Sequence, residues 1–225
     1  MTTFNWHQEA HSQWNQKVSF WNQKSENMWK NGSRKGVIPL VQQHVKKDGT
    51  VIDIGCGDGY GTRLLAQAGY KVLGVDLSTE MVEKAKELHE HVATFKAADV
   101  MDLPFDDDLA DAVVVINVLE WTEQPLVALN EIKRVVKSGG HACVGILGPT
   151  AQPRTNSYRR LYGENVICNT MMPWEFQQLA FENGWEIIDG EGVYKKGVNQ
   201  ETLVPLSSEL KQSLSFLWLF ILKKM

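Results

Sequence analysis

The segment Asp53-Ile54-Gly55-Cys56-Gly57-Asp58-Gly59-Tyr60-Gly61 constrains this chain more than any other. A short β-branched run, Val51 to Ile54, enters alternating glycines, and Thr62 to Ala68 follows with a helical pattern that stops at Gly69. Glycine lets the backbone turn sharply and approach a ligand, and the N-terminus of the following helix offers free N–H groups. In an α/β sheet this strand-to-helix turn opens on the crevice where nucleotides bind. The spacing restricts which nucleotide. A dinucleotide fingerprint needs glycines at i, i+2 and i+5. Counted from Gly55, Gly57 or Gly59, the third position is Tyr60, Thr62 or Leu64, so all three frames fail. The Gly-Lys-Ser/Thr ending of a triphosphate loop is also missing. The loop therefore suits a nucleoside, and a nicotinamide oxidoreductase is the weaker reading.

Strand and helix patterns alternate from here. Strands are expected at Lys71 to Val75, Val92 to Ala97, Ala112 to Ile116 and His141 to Leu147. Ser78 can cap a helix carrying Met81, Ala85 and Leu88 on one face, and Pro125 suits the first turn of a helix running to Lys137, ended by Gly139-Gly140. That alternation means βαβ units, a parallel sheet and right-handed crossovers. Beyond Gly148 the rhythm breaks. Residues 149–172 show no core period, Pro173 to Asn183 reads as a helix, and Trp185 to Ile188 and Phe216 to Leu222 read as late strands. Residues 1–36 are polar and tryptophan-rich, with Trp14, Val18 and Trp21 on one helical face.

Asp76, at the end of the second strand, can accept hydrogen bonds from both hydroxyls of a ribose. Asp53-x-Gly55-x-Gly57-x-Gly59 with Asp76, then Ala98-Asp99-Val100, Leu103-Pro104-Phe105 and the stretch Asn130 to Gly140, resembles the class I S-adenosylmethionine-dependent methyltransferases. It is most similar to the small-molecule family that includes quinone-biosynthesis enzymes. The resemblance covers residues 48–148 well and 173–222 loosely. It implies a Rossmann-like, doubly wound α/β fold: a seven-stranded, mostly parallel sheet with helices on both faces and an antiparallel C-terminal strand. It also implies roles. Asp53 would orient the methionine amino group, and the backbone of Gly55, Cys56 and Gly57 would pass under methionine and ribose. Asp76 would hold the ribose, Leu77 and Met81 would lie against the adenine, Asp99 and Val100 would address its edge, and Asn117 would lie near the methionine. The cofactor implied is S-adenosyl-L-methionine, with S-adenosyl-L-homocysteine as product.

The acceptor is a small molecule on this reading. Nucleic-acid amino-methylating enzymes carry Asn/Asp-Pro-Pro-aromatic after the fourth strand, where this chain has Asn117-Val118-Leu119-Glu120-Trp121, and the paired-glutamate loop of protein-arginine enzymes is absent. A net charge of −4 provides no general field for nucleic acid. Two segments left over by the motif block, 1–36 as a helical lid and 149–172 as an acceptor-side insertion in a domain of residues 37–225, are expected to form the acceptor pocket, with Trp29, Arg34, Trp121, Tyr158 and Arg159 as candidate contacts. No nucleophile–base pair or metal cluster stands out, because alignment of an already activated methyl supplies most of the rate. His141 opens its strand and is read as structural. His7 and His11 sit in the unassigned N-terminal segment, and Cys56 is read as a small filler. Three cysteines without zinc spacing fit a cytoplasmic protein, and the longest apolar stretch is too short to span a membrane. A non-catalytic cofactor-binding protein stays open as the alternative.

Overall fold

A computed structural model describes residues 4–225. Seven strands lie in one sheet, in the order β3-β2-β1-β4-β5-β7-β6. Strands β1 (Thr50–Ile54), β2 (Lys71–Asp76), β3 (Thr94–Ala97), β4 (Ala110–Ile116) and β5 (Val136–Leu147) are parallel to one another. β7 (Ser215–Lys224) is antiparallel to both β5 and β6 (Trp185–Tyr194). The chain moves one way along the sheet from β1 to β3 and the other way from β4 onward. The order therefore reverses between β1 and β4, and a crevice opens at the carboxyl ends of those two strands.

The central strand β4 reads largely apolar because both its faces are covered. On β4, Val113 and Val115 join one core, while Ala112, Val114 and Ile116 join the other. α6 (Pro125–Val135) and α7 (Pro173–Glu182) cover the first face through Leu129, Ile132 and Phe176. α3 (Val37–His44) and α4 (Tyr60–Gln67) cover the second through Val37, Val41 and Leu65. α5 (Thr79–His89) is capped by Ser78, whose hydroxyl accepts from the Met81 N–H, as expected.

The N-terminal segment is two helices, α1 (Trp6–Gln16) and α2 (Val18–Lys30), broken at Lys17. They lie over the carboxyl edge of the sheet. Asn15 accepts from the Ser78 hydroxyl (2.6 Å), Trp6 Nε1 donates to the Trp121 carbonyl (2.8 Å), and Asn22 and Ser25 donate to Asp58 (3.0 and 2.8 Å).

Several boundaries differ from expectation. α6 ends at Val135 and β5 begins at Val136, because Ala110 pairs Val136 before a register shift. β6 runs to Tyr194 because β7 pairs with it along most of its length. Residues 149–172 contain a 3-10 helix, Gln152–Tyr162, and two short helices, α8 (Gln200–Leu203) and α9 (Ser208–Leu214), precede β7.

Candidate cofactor and acceptor site

The glycine loop is built by close packing. Gly55 has φ +72°, and a Cβ there would sit 2.3 Å from Val118 Cγ2. The Gly55 and Cys56 N–H groups both donate to the Val75 carbonyl (2.8 and 3.0 Å), so the loop is tied to the end of β2. The Gly57 N–H donates to Asp76 Oδ2 and the Ser78 N–H to Asp76 Oδ1, each at 2.9 Å. These N–H groups are thus spent inside the protein, where sequence alone suggested they would face a ligand. Each Asp76 oxygen keeps lone-pair capacity beyond its one bond. A Cβ on Gly57 would meet nothing within 4 Å, so the loop faces open space.

That space is a cavity of about 720 Å³, within the range of small-molecule sites. It brings together Gly55, Cys56, Gly57, Asp76, Leu77, Met81, Asp99, Val100 and Asn117, with Arg34 and Trp121 from the candidate acceptor contacts. Four expected residues are elsewhere. Asp53 lies beneath the loop, 3% exposed, and accepts from the Thr62 hydroxyl (2.6 Å). Trp29 is buried behind the loop, where a Cβ on Gly61 would strike its ring at 2.2 Å. Tyr158 is 50% exposed and hydrogen-bonds Tyr162, and Arg159 pairs with Glu164, so both face away from the cavity. Trp29 is corrected from an acceptor contact to a packing residue of α2, and Tyr158 and Arg159 to surface residues, because a 3-10 turn with no buried stripe leaves those two outside.

The sequence points to the two roof segments and to Trp21, but not to most of the other side chains that line the cavity from them. Trp6, Trp14, Lys17 and Trp21 from the N-terminal helices, and Gln152 and Asn156 from the later segment, line the cavity. The tryptophan spacing was visible, but it reads equally well as core packing. His7 also lines it, and its Nδ1 lies 2.8 Å from Asp99 Oδ2 while Asp99 Oδ1 accepts from the Met101 N–H (2.9 Å). His141 pairs with Ala112 near the amino end of β4, far along the strand from the crevice.

Burial dominates the electrostatics. It pushes the Asp53 carboxyl up to about 6 despite the Thr62 bond and the nearby Arg34 charge. It raises Asp76 as well, against the Ser78 and Gly57 N–H bonds, and raises Cys56 well above an ordinary thiol, which leaves it a neutral filler. Arg34 is lowered by burial and held by the charges of Asp53, Asp58 and Asp76. Its Nε is buried with no hydrogen-bond partner among the described residues, and its guanidinium lies 5.8 and 5.6 Å from the ring centroids of Trp21 and Trp29. Asn117, at φ +59°, likewise has a buried Nδ2 with no partner among the described residues. No group of three or more potential metal ligands occurs among the described residues.

Opposite the roof, a latch fixes the floor. Glu120, fully buried and raised by burial, accepts from the Leu147 N–H, and its carbonyl accepts from the Asn169 N–H (2.9 Å). Arg154 donates to the carbonyls of Leu147, Gly148, Thr170 and Met171.

Residues 52–144 match the model of the methyltransferase domain family. That match covers less than half of the chain and makes residues 52–144 similar to a methyltransferase domain. It is 29% identical over 173 residues to a malonyl-[acyl-carrier protein] O-methyltransferase of Hamiltonella defensa subsp. Acyrthosiphon pisum, covering 75% of this chain and 57% of that one. It is 33% identical over 129 residues to a demethylmenaquinone methyltransferase of Staphylococcus haemolyticus, covering 55% and 52%. The chain thus spans about half the length of these curated relatives. Among solved structures, the methyltransferase fold is shared with a chain of the complex containing the Haloferax volcanii Trm112 methyltransferase activator (TM-score 0.71, 21% identity, 94% of this chain and 97% of that one). It is shared too with an S-adenosylmethionine-dependent methyltransferase of Methanosarcina mazei (TM-score 0.65, 20% identity, 83% and 97%). Among the described residues no helix is long and apolar enough to cross a membrane.

Proposed function

We propose that the protein is an enzyme that transfers a methyl group from S-adenosylmethionine to a small-molecule acceptor. The observation that carries this reading is the cavity at the strand-order reversal: it opens on the Asp76-braced glycine loop and holds a buried arginine, Arg34, without a bonded partner. The residues fit the cofactor. Asp76 takes the ribose hydroxyls with its free lone pairs, and Leu77 and Met81 flank the adenine, whose edge faces Asp99 and Val100. Arg34 takes the methionine carboxylate, since its buried Nε has no hydrogen-bond partner among the described residues although the acids of the loop face its charge. Asp53 orients the amino group from beneath the loop, through water, and Asn117 lies beside it. When bound, the cofactor supplies a sulfonium methyl that is already electrophilic. The chain's own task is to align the acceptor and exclude water, for which effective molarities correspond to roughly 7–11 kcal/mol.

Residues 1–36 act as the lid, residues 37–225 as the catalytic domain and residues 149–172 as the acceptor-side insertion. Both curated relatives named above act on small or carrier-bound acceptors by their names, which supports a metabolite and not a nucleic acid. Three free, buried cysteines suit the cytoplasm. Calorimetry with S-adenosylhomocysteine and with NAD, followed by turnover of a metabolite mixture with S-adenosylhomocysteine as readout, tests the reading. Binding of NAD with no response to S-adenosylhomocysteine refutes it.

A further inference from the structure

The cavity-facing side of α2 carries an anomaly. Lys17, Trp21, Lys24 and Met28 fall at i, i+4, i+7 and i+11, one stripe of a helix, and all four line the cavity. A stripe that faces inward is ordinarily apolar. Here two of its four members are lysines, and neither makes a salt bridge or a side-chain hydrogen bond among the described residues. Lys17 Nζ lies 4.8 Å from the Trp14 ring centroid and Lys24 Nζ 3.9 Å from that of Phe20. Burial holds the Lys17 ammonium below the usual lysine range. Lys17 is half-buried, so its cation is partly withdrawn from water without a partner, which an aromatic face offsets only in part; Lys24 is exposed where it lines the cavity. Trp21 adds a third donor, since its Nε1 is buried with no partner among the described residues.

Three acids on the other walls already accept hydrogen bonds. Asp58 is held by Asn22 and Ser25, Asp76 by two backbone N–H groups, and Asp99 by His7 and Met101. The uncommitted polar atoms on the α2 stripe are thus donors, and the ligand has to bring the acceptors. The neighbouring walls are flat. Trp14 and Trp121 meet edge to face at 5.5 Å, and Trp14 and Trp21 lie 6.4 Å apart. Trp6 Nε1 is already spent on the Trp121 carbonyl, so that ring offers only apolar surface. At these separations the rings pack against one another, and a flat ring can lie against their cavity-facing surfaces.

We infer that the methyl acceptor is a planar, apolar molecule bearing an anionic group, with the ring held among Trp14, Trp21 and Trp121 and the anion met by Lys17, Lys24 and the Trp21 N–H. This rests on the methyltransferase reading and narrows its acceptor. Arg34 is not part of the acceptor set, because its electrostatic partners are the acids of the glycine loop and Asp76.

The test uses the full chain saturated with S-adenosylhomocysteine. 2-Naphthoate and its neutral counterpart 2-naphthamide are titrated by tryptophan fluorescence and by saturation-transfer NMR. The naphthoate should bind at least tenfold tighter than the amide. In the Lys17→Gln/Lys24→Gln variant the difference should fall to less than threefold, while calorimetric affinity for S-adenosylhomocysteine stays within twofold. Equal binding of acid and amide by the wild type, an acid preference that survives in the variant, or no binding of either probe at millimolar concentration overturns the assignment. Failure of S-adenosylhomocysteine itself to bind is read separately and overturns the parent function.

Discussion

Asp53→Asn isolates the cost of keeping a buried carboxylate ready for a cationic ligand. The wild-type carboxyl is 3% exposed and sits at about 6 in the fold, against an ordinary value of 3.8. The folded state therefore holds its proton more tightly than the unfolded chain does. The stability this contributes is fully present below pH 3.8 and is lost as pH rises through 6. At about 1.4 kcal/mol per pH unit, ionising Asp53 at neutral pH costs about 3 kcal/mol. Asparagine can keep the Thr62 hydrogen bond through its amide oxygen and does not titrate. Urea unfolding of both proteins at intervals from pH 4 to pH 7 gives the difference in stability at each pH. Any constant offset from the amide's extra N–H cancels in the trend, and so do the other raised carboxyls, Asp76, Glu120 and Glu191, which both proteins share. The difference should move by about 3 kcal/mol in favour of the asparagine variant across that range. S-Adenosylhomocysteine affinity should behave oppositely: weaker in the variant by roughly tenfold to a hundredfold at pH 7.5, the range for a hydrogen bond to a charged group. In the wild type it should weaken as pH drops below about 6. Parallel stability profiles for the two proteins would show that Asp53 is not held near 6, and unchanged affinity would remove it from the cofactor site.

Asp76→Ala should weaken S-adenosylhomocysteine binding by about 1.5–3 kcal/mol in calorimetry, and equal affinity would mean that Asp76 serves only to brace Gly57 and Ser78. Gly57→Val should abolish binding, since its side chain would project into the open space before the loop at φ +56°; retained affinity would place the cofactor elsewhere. Arg154→Lys should lower stability by about 3 kcal/mol in urea unfolding, because a point charge cannot replace a fork that reaches four carbonyls, and a change below 1 kcal/mol would contradict the latch. In hydrogen exchange, S-adenosylhomocysteine should protect residues 6–30 strongly and residues 147–171 little, since the latter are already pinned; equal protection of both segments would refute that difference.

The parallel sheet was legible because its signals are local. β-branched runs, capping serine and stop glycines lie next to each other in the chain, and Asp76 and the glycines line one crevice, with Asp53 beneath it, because a βα turn puts them there. The roof was less legible. Trp14 and Trp21 announce an aromatic face, but a sequence cannot say whether that face meets a core or a cavity. Trp29 illustrates the problem: it has the same composition around it as Trp21, yet it packs behind Gly61 while Trp21 lines the cavity. Tyr158 and Arg159 misled for a different reason. Their segment winds as a 3-10 helix, whose three-residue turn distributes side chains around the axis differently from an α-helix, and residues expected to face inward point to solvent. The Glu120–Arg154 latch joins positions far apart in sequence through backbone carbonyls, for which no residue pattern exists.

The contacts that dock the roof bear on how the lid and the cofactor influence each other. His7 binds Asp99, Asn15 binds Ser78, Asn22 and Ser25 bind Asp58, and Trp6 binds the Trp121 carbonyl. Each partner on the sheet side belongs to a loop that the proposed cofactor touches. Of these contacts only His7–Asp99 is exposed and contributes about 0–1 kcal/mol, so α1 is held more weakly at its first turn than α2 is at Ser25 and Trp29, both buried. Bound cofactor alters two terms of opposite sign. In the proposed binding mode its adenine amino group would compete with His7 for Asp99, which would loosen α1. Its carboxylate would give the Arg34 guanidinium, just beyond α2, a hydrogen-bonded partner, and a hydrogen bond to a charged group contributes about 1.5–3 kcal/mol. The second term is the larger, so cofactor binding should draw α2 down even where it releases the first turn of α1. By linkage, whatever holds α2 closed raises cofactor affinity by the same factor. An anionic acceptor meeting Lys17 and Lys24 on that helix would do so, which makes acceptor and cofactor binding mutually reinforcing through one helix and not through direct contact.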